Sequence, residues 1–458
     1  MTLFNRLAAL AFCGVLIASV HSERAGAAGV EEFEGWLKAN QDANFQFVDG
    51  DLIHYEDCEE LKPFVPPGWI QAGFCFEGME YRIKDPGDLT PPQAYKDATE
   101  KFAGQATLDE KGGLQNYTAG RPFDRTKFTP GSEEDGYKAI WNYNWRWQHD
   151  GLRIEEVEWV WVERGGTHDD HELMKRWTGK YYGGGGKFSR VMYGPYQKVI
   201  MNGLAHRADT GYRIPGRWAD NTEFREYTGF TSPFDIAGTA FLILRYLDPH
   251  KADHSWAYIP SLRRVRRISV EVKSDVLLGT EDTLEDFYGF AGRPVEWDWV
   301  FLGTVKTLSI SRSRDLNTHF GGPDGWQEID DYALMEMDVI KGIPHLAPGH
   351  PYSSKIVMTS AMSGTPYYSE AYDVGGELWK VWKIPKVWTE DPWFKAKDKA
   401  GAGETPVGTR MSAFQGIQVV NLQNWRATII PCRGLSYPRV EFKTVKRTHD
   451  VNRLTEGR

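Results

Sequence analysis

The sequence predicts a mainly β, α+β fold, an antiparallel sheet with a few helices, and three observations carry that reading. Short apolar runs at residues 333–340, 354–360, 365–372, 378–383 and 417–421 are separated by turn residues, the spacing of a meandering antiparallel sheet. In the run 265–272, Ile268, Val270 and Val272 alternate with Arg267, Ser269, Glu271 and Lys273, the period of a strand with one wet face. At residues 140–148, Trp141, Tyr143, Trp145 and Trp147 alternate with Asn142, Asn144, Arg146 and Gln148, which predicts four rings on one strand face.

Residues 1–27 read as a secretory signal peptide. Arg6 precedes an apolar run over 7–20, and Ala25-Gly26-Ala27 supplies small residues for cleavage before Ala28. The run is too short for a comfortable membrane span, so the mature chain is expected to be soluble and exported to an oxidising compartment. A lipoprotein cut at Cys13 is the weaker alternative, because bulky Phe12 precedes it and the apolar run would be halved. In such an oxidising compartment Cys58 and Cys75, flanking a proline-rich loop, are expected to form a disulfide. Cys432 is left as a buried inert thiol.

Residues 28–135 are read as a helical and loop region. Phe33, Trp36 and Leu37 share a stripe in a helix over 30–40, Pro63, Pro66, Pro67 and Gly68 exclude a long helix from 49–82, and a second helix covers 93–104. Residues 136–445 are assigned to the sheet domain and 446–458 to a polar, frayed tail. After the strand at 140–148, His149-Asp150-Gly151 turns the chain into a return strand. There Leu152 and Ile154 give way to Val157, Trp159 and Trp161 in opposite phase, so a bulge at Glu155–Glu156 is expected to bend the sheet.

His168, Asp169, Asp170 and His171 lack the spacing that puts two ligands on one helix face. They read as a solvated turn, and no metal is expected. Gly183–Gly186 before Lys187 fails as a phosphate loop, because Phe188 stands where Ser or Thr is needed; a flexible connection is the better reading. Strands are expected at 241–247 and 300–311. Pro260 breaks the ladder between the first of these and the strand at 265. Residues 387–405 read as an exposed loop tipped with Trp388, Trp393 and Phe394.

The run Trp256 to Arg267, the stretch Glu281 to Pro294, Asp298-Trp299, Ala119-Gly120-Arg121-Pro122-Phe123, Tyr372 to Val381 and Asn421-Leu422-Gln423-Asn424 together resemble the periplasmic domain of unknown function 1329 family. The resemblance implies a fold similar to the lipoprotein carriers LolA and LolB: a strongly curved antiparallel half-barrel wrapped around helices, with an apolar cavity between. It also implies work beside a large membrane exporter. It implies no settled activity.

Composition narrows the function classes. The chain has a net charge of −9 over 458 residues, which speaks against a general nucleic-acid binder. It carries 18 Trp, 21 Tyr and 23 Phe, enough aromatic surface to fill a core or to line a groove. Nucleophile-elbow, dinucleotide, Cys-x-x-Cys and His-Glu-x-x-His motifs are missing, and no cofactor is implied.

The expected function is a binding or carrier protein for an amphipathic or hydrophobic guest such as a lipid, a lipoprotein acyl chain or a sterol-like molecule. Trp141, Tyr143, Trp145, Trp147, Trp159 and Trp161 would wall the cavity, unless they pack on a covering helix. Arg263, Arg264, Arg266 and Arg267 would form a cationic mouth, unless they pair with carboxylates at a solvated strand entrance. Glu281, Asp282, Glu285 and Asp286 are read as capping or salt-bridging residues opposite those arginines. The alternatives are a secreted hydrolase or glycan-binding enzyme that uses the acidic run as catalytic carboxylates, and an envelope scaffold that binds through Trp388 to Phe394.

Overall fold

The computed structural model describes residues 29–165, 181–268, 274–345, 349–397 and 409–456. Its centre is a fifteen-stranded sheet that does not close into a barrel. The strands are β1 (Leu52–His54), β2 (Glu80–Ile83), β3 (Gly151–Glu163), β4 (Lys187–Ile200), β5 (Thr222–Gly229), β6 (Ala240–Tyr246), β7 (His254–Ile259), β8 (Arg264–Ile268), β9 (Trp297–Ser309), β10 (Asp331–Pro344), β11 (Tyr352–Ser360), β12 (Pro366–Asp373), β13 (Leu378–Lys383), β14 (Gly416–Asn421) and β15 (Arg426–Ser436). They lie in the order β1-β2-β10-β11-β12-β13-β14-β15-β3-β4-β5-β6-β7-β8, with β9 pairing to β10. Neighbours are antiparallel except β2 and β10, which run parallel through Arg82 and Asp331.

Along the middle strands, β11 to β15, both faces of this sheet are buried, and the side-chain period of two sorts the residues between them. Ile356 and Met358 of β11, Val381 of β13, Ile429 of β15 and Val160 of β3 face one way. They meet Phe33 and Trp36 of α1 (Val30–Asp42), Leu61 of α2 (Cys58–Leu61) and Trp69 of α3 (Pro67–Gln71). Val357, Trp382, Ile430 and Trp159, each one residue along, face the other way. They meet Ile140 and Tyr143 of α5 (Glu133–Asn144) and Phe287, Tyr288 and Phe290. Between the N-terminal helices and α5 lies α4 (Gln93–Lys101), close to the 93–104 helix read from the sequence.

The sheet curls around the α5 side. Phe287 stacks on Tyr196 of β4 at 5.5 Å and meets Trp159 of β3 at 5.3 Å. Three residues on, Phe290 meets Trp299 of β9 at 5.0 Å, although β9 stands seven ladders from β3. One short segment touches both walls because the walls bend toward each other. Register shifts supply the bend. One lies between Ile154 and Val157, at the bulge expected there, and others interrupt β9, β11 and β12.

The aromatic stretch at 140–148 is a helix end, not a strand. Ser132 caps α5, its Oγ accepting the Asp135 N–H at 3.1 Å, and Glu133, Glu134 and Asp135 lie in the first turn beside the helix dipole. Helical geometry therefore divides the rings. Tyr143 faces the sheet, whereas Trp141 and Trp145, four residues apart, face away toward Leu114 and Val295.

Three further expectations change. Trp388 and Phe394 are buried, the latter in α6 (Pro392–Lys397), so they do not tip an exposed loop. Beyond 445 the chain packs instead of fraying: Val445 in α7 (Phe442–Thr448), His449 and Leu454 are buried. Gly184 to Gly186 form a close contact rather than a loose connection, since a Cβ on Gly185 would lie 1.6 Å from Pro323 O. The segments 166–180 and 269–273, which hold the His168–His171 turn and the end of the 265–272 strand, lie outside the described residues.

Candidate functional site

The α5 side of the sheet is covered by residues 274–296, a stretch of short 3-10 turns and irregular backbone that enters and leaves left-handed φ at Leu278 (51°), Tyr288 (59°) and Gly289 (83°). Internal bonds hold its shape. Leu277 N–H donates to Asp282 O at 2.9 Å, and Thr283 Oγ1 donates to Asp286 Oδ2 at 2.7 Å.

Charged groups fix it to the sheet. Asp286 accepts Tyr352 Oη at 2.7 Å and pairs with Lys355 Nζ at 2.5 Å, all of them buried. Burial alone would raise the Asp286 carboxyl, but the Lys355 charge outweighs it and holds the group below the usual range. Asp282 accepts Trp382 Nε1 at 3.1 Å. Burial first, and then the charge of Asp286, push it up to about 7. Glu285 bonds His350 Nε2 at 3.0 Å, and Glu281 accepts Asn421 Nδ2 at 2.8 Å. Lys380 Nζ donates to the carbonyl of Glu281 at 2.8 Å.

The acidic run is therefore not paired with the arginine group as expected. It faces lysines of β11 and β13, and its carboxylates are buried beneath the sheet instead of lining an open groove, as glycoside or ester chemistry would require. Arg263, Arg264, Arg266 and Arg267 lie exposed on and beside the edge strand β8, five ladders from β3. Among the described residues none of the four has a carboxylate within ion-pair distance.

The six aromatic residues of the expected wall are not gathered on one surface. Tyr143 donates to Phe290 O, and Trp141 Nε1 donates to Gly112 O at 2.8 Å on the far side of α5. Trp145 lies against Tyr117 at 4.4 Å, and Trp147 is edge-on to His206 at 5.3 Å. Trp159 is fully buried between Phe230 and Phe287, and half-buried Trp161 lies beneath Arg190 at 5.0 Å. At the C-terminal end of α5 remains a polar cleft of about 30 Å³, lined by Tyr143, Arg146, Lys198, Glu223, Arg245 and Tyr288. That is room for one or two waters. There burial pushes Lys198 down to about 8 and raises Glu223. A larger open groove of about 1020 Å³ runs between the hairpin at 107–115 and the first turns of α5.

Sequence reasoning missed the buried Arg245, which pairs with Asp253 at 2.9 Å and donates to Ala291 O at 2.8 Å, tying β6 to the covering segment. It also missed the cluster of His149, Asp150 and His206, whose ligand-type atoms lie within 4.8 Å of one another. Asp150 is already occupied by Arg207, by His206 Nε2 at 2.9 Å and by the Val440 N–H at 2.7 Å, so the cluster works as a structural pin. Nothing in local spacing announces either group. Cys58 and Cys75 are joined, S–S 2.07 Å, and Cys432 is a buried free thiol, as read from the sequence.

Residues 86–431 match a family described as "Protein of unknown function (DUF1329)". The chain belongs to the DUF1329 family. Solved structures similar to this DUF1329 protein include a "putative outer membrane lipoprotein-sorting protein domain" from Vibrio parahaemolyticus. It has 16% identity and a TM-score of 0.45, over 71% of this chain and 100% of that one. A DUF1329 family protein from Desulfovibrio piger is 14% identical, with a TM-score of 0.44 over 71% of this chain and all of its own. A LolA superfamily protein from Nitrosomonas europaea is 14% identical, with a TM-score of 0.35 over 69% of this chain and 97% of its own. No curated protein matches the chain. Among the described residues no helix is long and apolar enough to cross a membrane.

Proposed function

We propose that this DUF1329 protein is a periplasmic binding or carrier protein. Its guest is an amphipathic or hydrophobic molecule, such as a lipid, a lipoprotein acyl chain or a sterol-like compound, held on the α5 side of the sheet in place of residues 274–296. An envelope membrane exporter is the partner that the family resemblance implies. The observation that supports the reading is the nature of the cover. Much of what fixes it is polar, through the buried Asp286–Lys355 ion pair and hydrogen bonds such as those of Glu285 with His350 and Asp282 with Trp382. Buried ion pairs contribute little net stability, because water solvates both charges well once they separate. A cover fastened this way leaves the sheet at lower cost than one sealed by aliphatic packing alone. Its rings, Phe287, Tyr288 and Phe290, occupy the space a hydrocarbon tail would take. Each buried methylene of that tail contributes about 0.8 kcal/mol in exchange.

The test locks the cover. A Cβ on Gly289 would lie 3.2 Å from Ser369 Cβ, a little under the roughly 3.5–4.5 Å of a disulfide, so Gly289→Cys with Ser369→Cys can bridge the segment to β12 after a small backbone shift at the left-handed Gly289. Protein purified from the periplasm is examined by native mass spectrometry and by uptake of a fluorescent fatty acid. The wild type and each single variant should carry lipid, and the bridged double variant should not. Equal uptake by the bridged protein, or a wild type that carries none, overturns the proposal.

A further inference from the structure

Register brings separate loops to one end of the sheet. Tyr258 of β7 stands opposite Ala240 of β6, and Thr228 of β5 stands opposite Phe241. The connection at 230–239 and the turn at 260–263 therefore project from the same end. The segment at 276–279 joins them: a Cβ on Gly279 would lie 3.4 Å from Trp161, Trp161 lies under Arg190, and Arg190 pairs with Asp235 at 2.5 Å.

Each loop exposes an apolar side chain there. Phe234 is 98% exposed, Val276 47%, Leu262 41% and Ile259 36%. Scattered apolar residues on a surface need no explanation, but here four are exposed at one end of the sheet. The four exposed arginines from Arg263 to Arg267 stand beside them without carboxylate partners among the described residues, on a chain whose net charge is −9.

We propose that this end of the sheet docks on an anionic phospholipid bilayer. Apolar tips from three loops suit a deformable surface, where they enter the acyl boundary while the guanidinium groups stay with the headgroup phosphates. A folded partner would need a fixed complementary relief, whereas a fluid surface can take up side chains carried by three separate loops. The proposal is independent of any guest in the sheet, since vesicle binding reads only the outer surface.

The test is flotation of the intact protein with phosphatidylcholine vesicles, with and without phosphatidylglycerol. Binding should appear with phosphatidylglycerol and fall as salt rises. Phe234→Ser should weaken it about tenfold, and this near-fully exposed position leaves the fold unaltered, as circular dichroism will show. Arg264→Gln with Arg267→Gln should weaken binding about fivefold per charge and abolish the preference for phosphatidylglycerol. Equal binding to both vesicles, indifference to all three substitutions, or no binding at all would overturn the proposal; the last would leave the patch to an acidic protein.

Discussion

Lys355 Nζ lies 2.5 Å from Asp286 Oδ1, and neither side chain reaches solvent. This pair ties residues 274–296 to β11, with Tyr352 Oη as a further donor to the same carboxylate. Asp286→Asn leaves the Lys355 charge uncompensated, so unfolding in urea should show a loss of about 3–5 kcal/mol. Asp286→Leu combined with Lys355→Met should recover most of it, because both desolvation costs disappear together. A double variant no more stable than the single one would mean that the pair is not what holds the segment.

Asp282 sets a pH dependence with a definite sign. Its folded pKa, about 7, lies above the ordinary 3.8. Between those values the folded protein holds a proton that the unfolded chain has lost, so stability declines as pH rises from 4 to 7 and levels off above. Glu370, raised to about 7 by burial, acts in the same direction. Lys198 and Lys383, pushed down to about 8 by burial, stay charged across this window and contribute only above it. Asp282→Asn should make the urea-midpoint profile shallower between pH 4 and pH 7, removing on the order of 4 kcal/mol of the decline and leaving the part due to Glu370. A profile equally steep in this variant would show that Asp282 is not the titrating group.

Much of the fold was legible because period-two runs between turn residues admit little else. β11 to β14 and β6 fall within two residues of the ranges read from the sequence, and β13 coincides. The aromatic stretch misleads because ring alternation over nine residues imitates a strand, while the deciding signal lies in its flank. Ser132 with Glu133, Glu134 and Asp135 is a helix start, and it outweighs ring alternation that continues past the helix end at Asn144. The site was less legible. That the acidic run would meet Lys355 and Lys380 depends on strands some 70 to 100 residues away, and local sequence carries no such pairing. Nor does it show that the covering segment and α5 fill the concave side.

The helical assignment of α5 has its own test. Ser132→Ala removes the cap and should cost about 1 kcal/mol. Gly136→Ala should cost far more, because its Cβ would lie 2.5 Å from the carbonyl of Trp299 in β9. Thermal unfolding should rank the two in that order. A harmless Gly136→Ala would mean that α5 does not press on β9.

Gly185 distinguishes a flexible tether from a packed crossing. In a tether, alanine is neutral or slightly stabilising, since it restricts the unfolded chain. Here the strand Tyr181–Gly184 runs parallel to Phe320–Gly322, and Gly184 and Gly186 take φ of 113° and 88°. A methyl group on Gly185 would overlap the carbonyl of Pro323, and those on Gly184 and Gly186 the carbonyls of Gly322 and Asp324, so the two chains must separate to admit any of them. Gly185→Ala should therefore lower the unfolding midpoint sharply. Gly165→Ala, at a position with open space and a φ of 82°, should cost only the backbone strain of about 1 kcal/mol. If the two variants unfold together, the crossing at Pro323 is not a fixed contact and the glycines serve as a hinge.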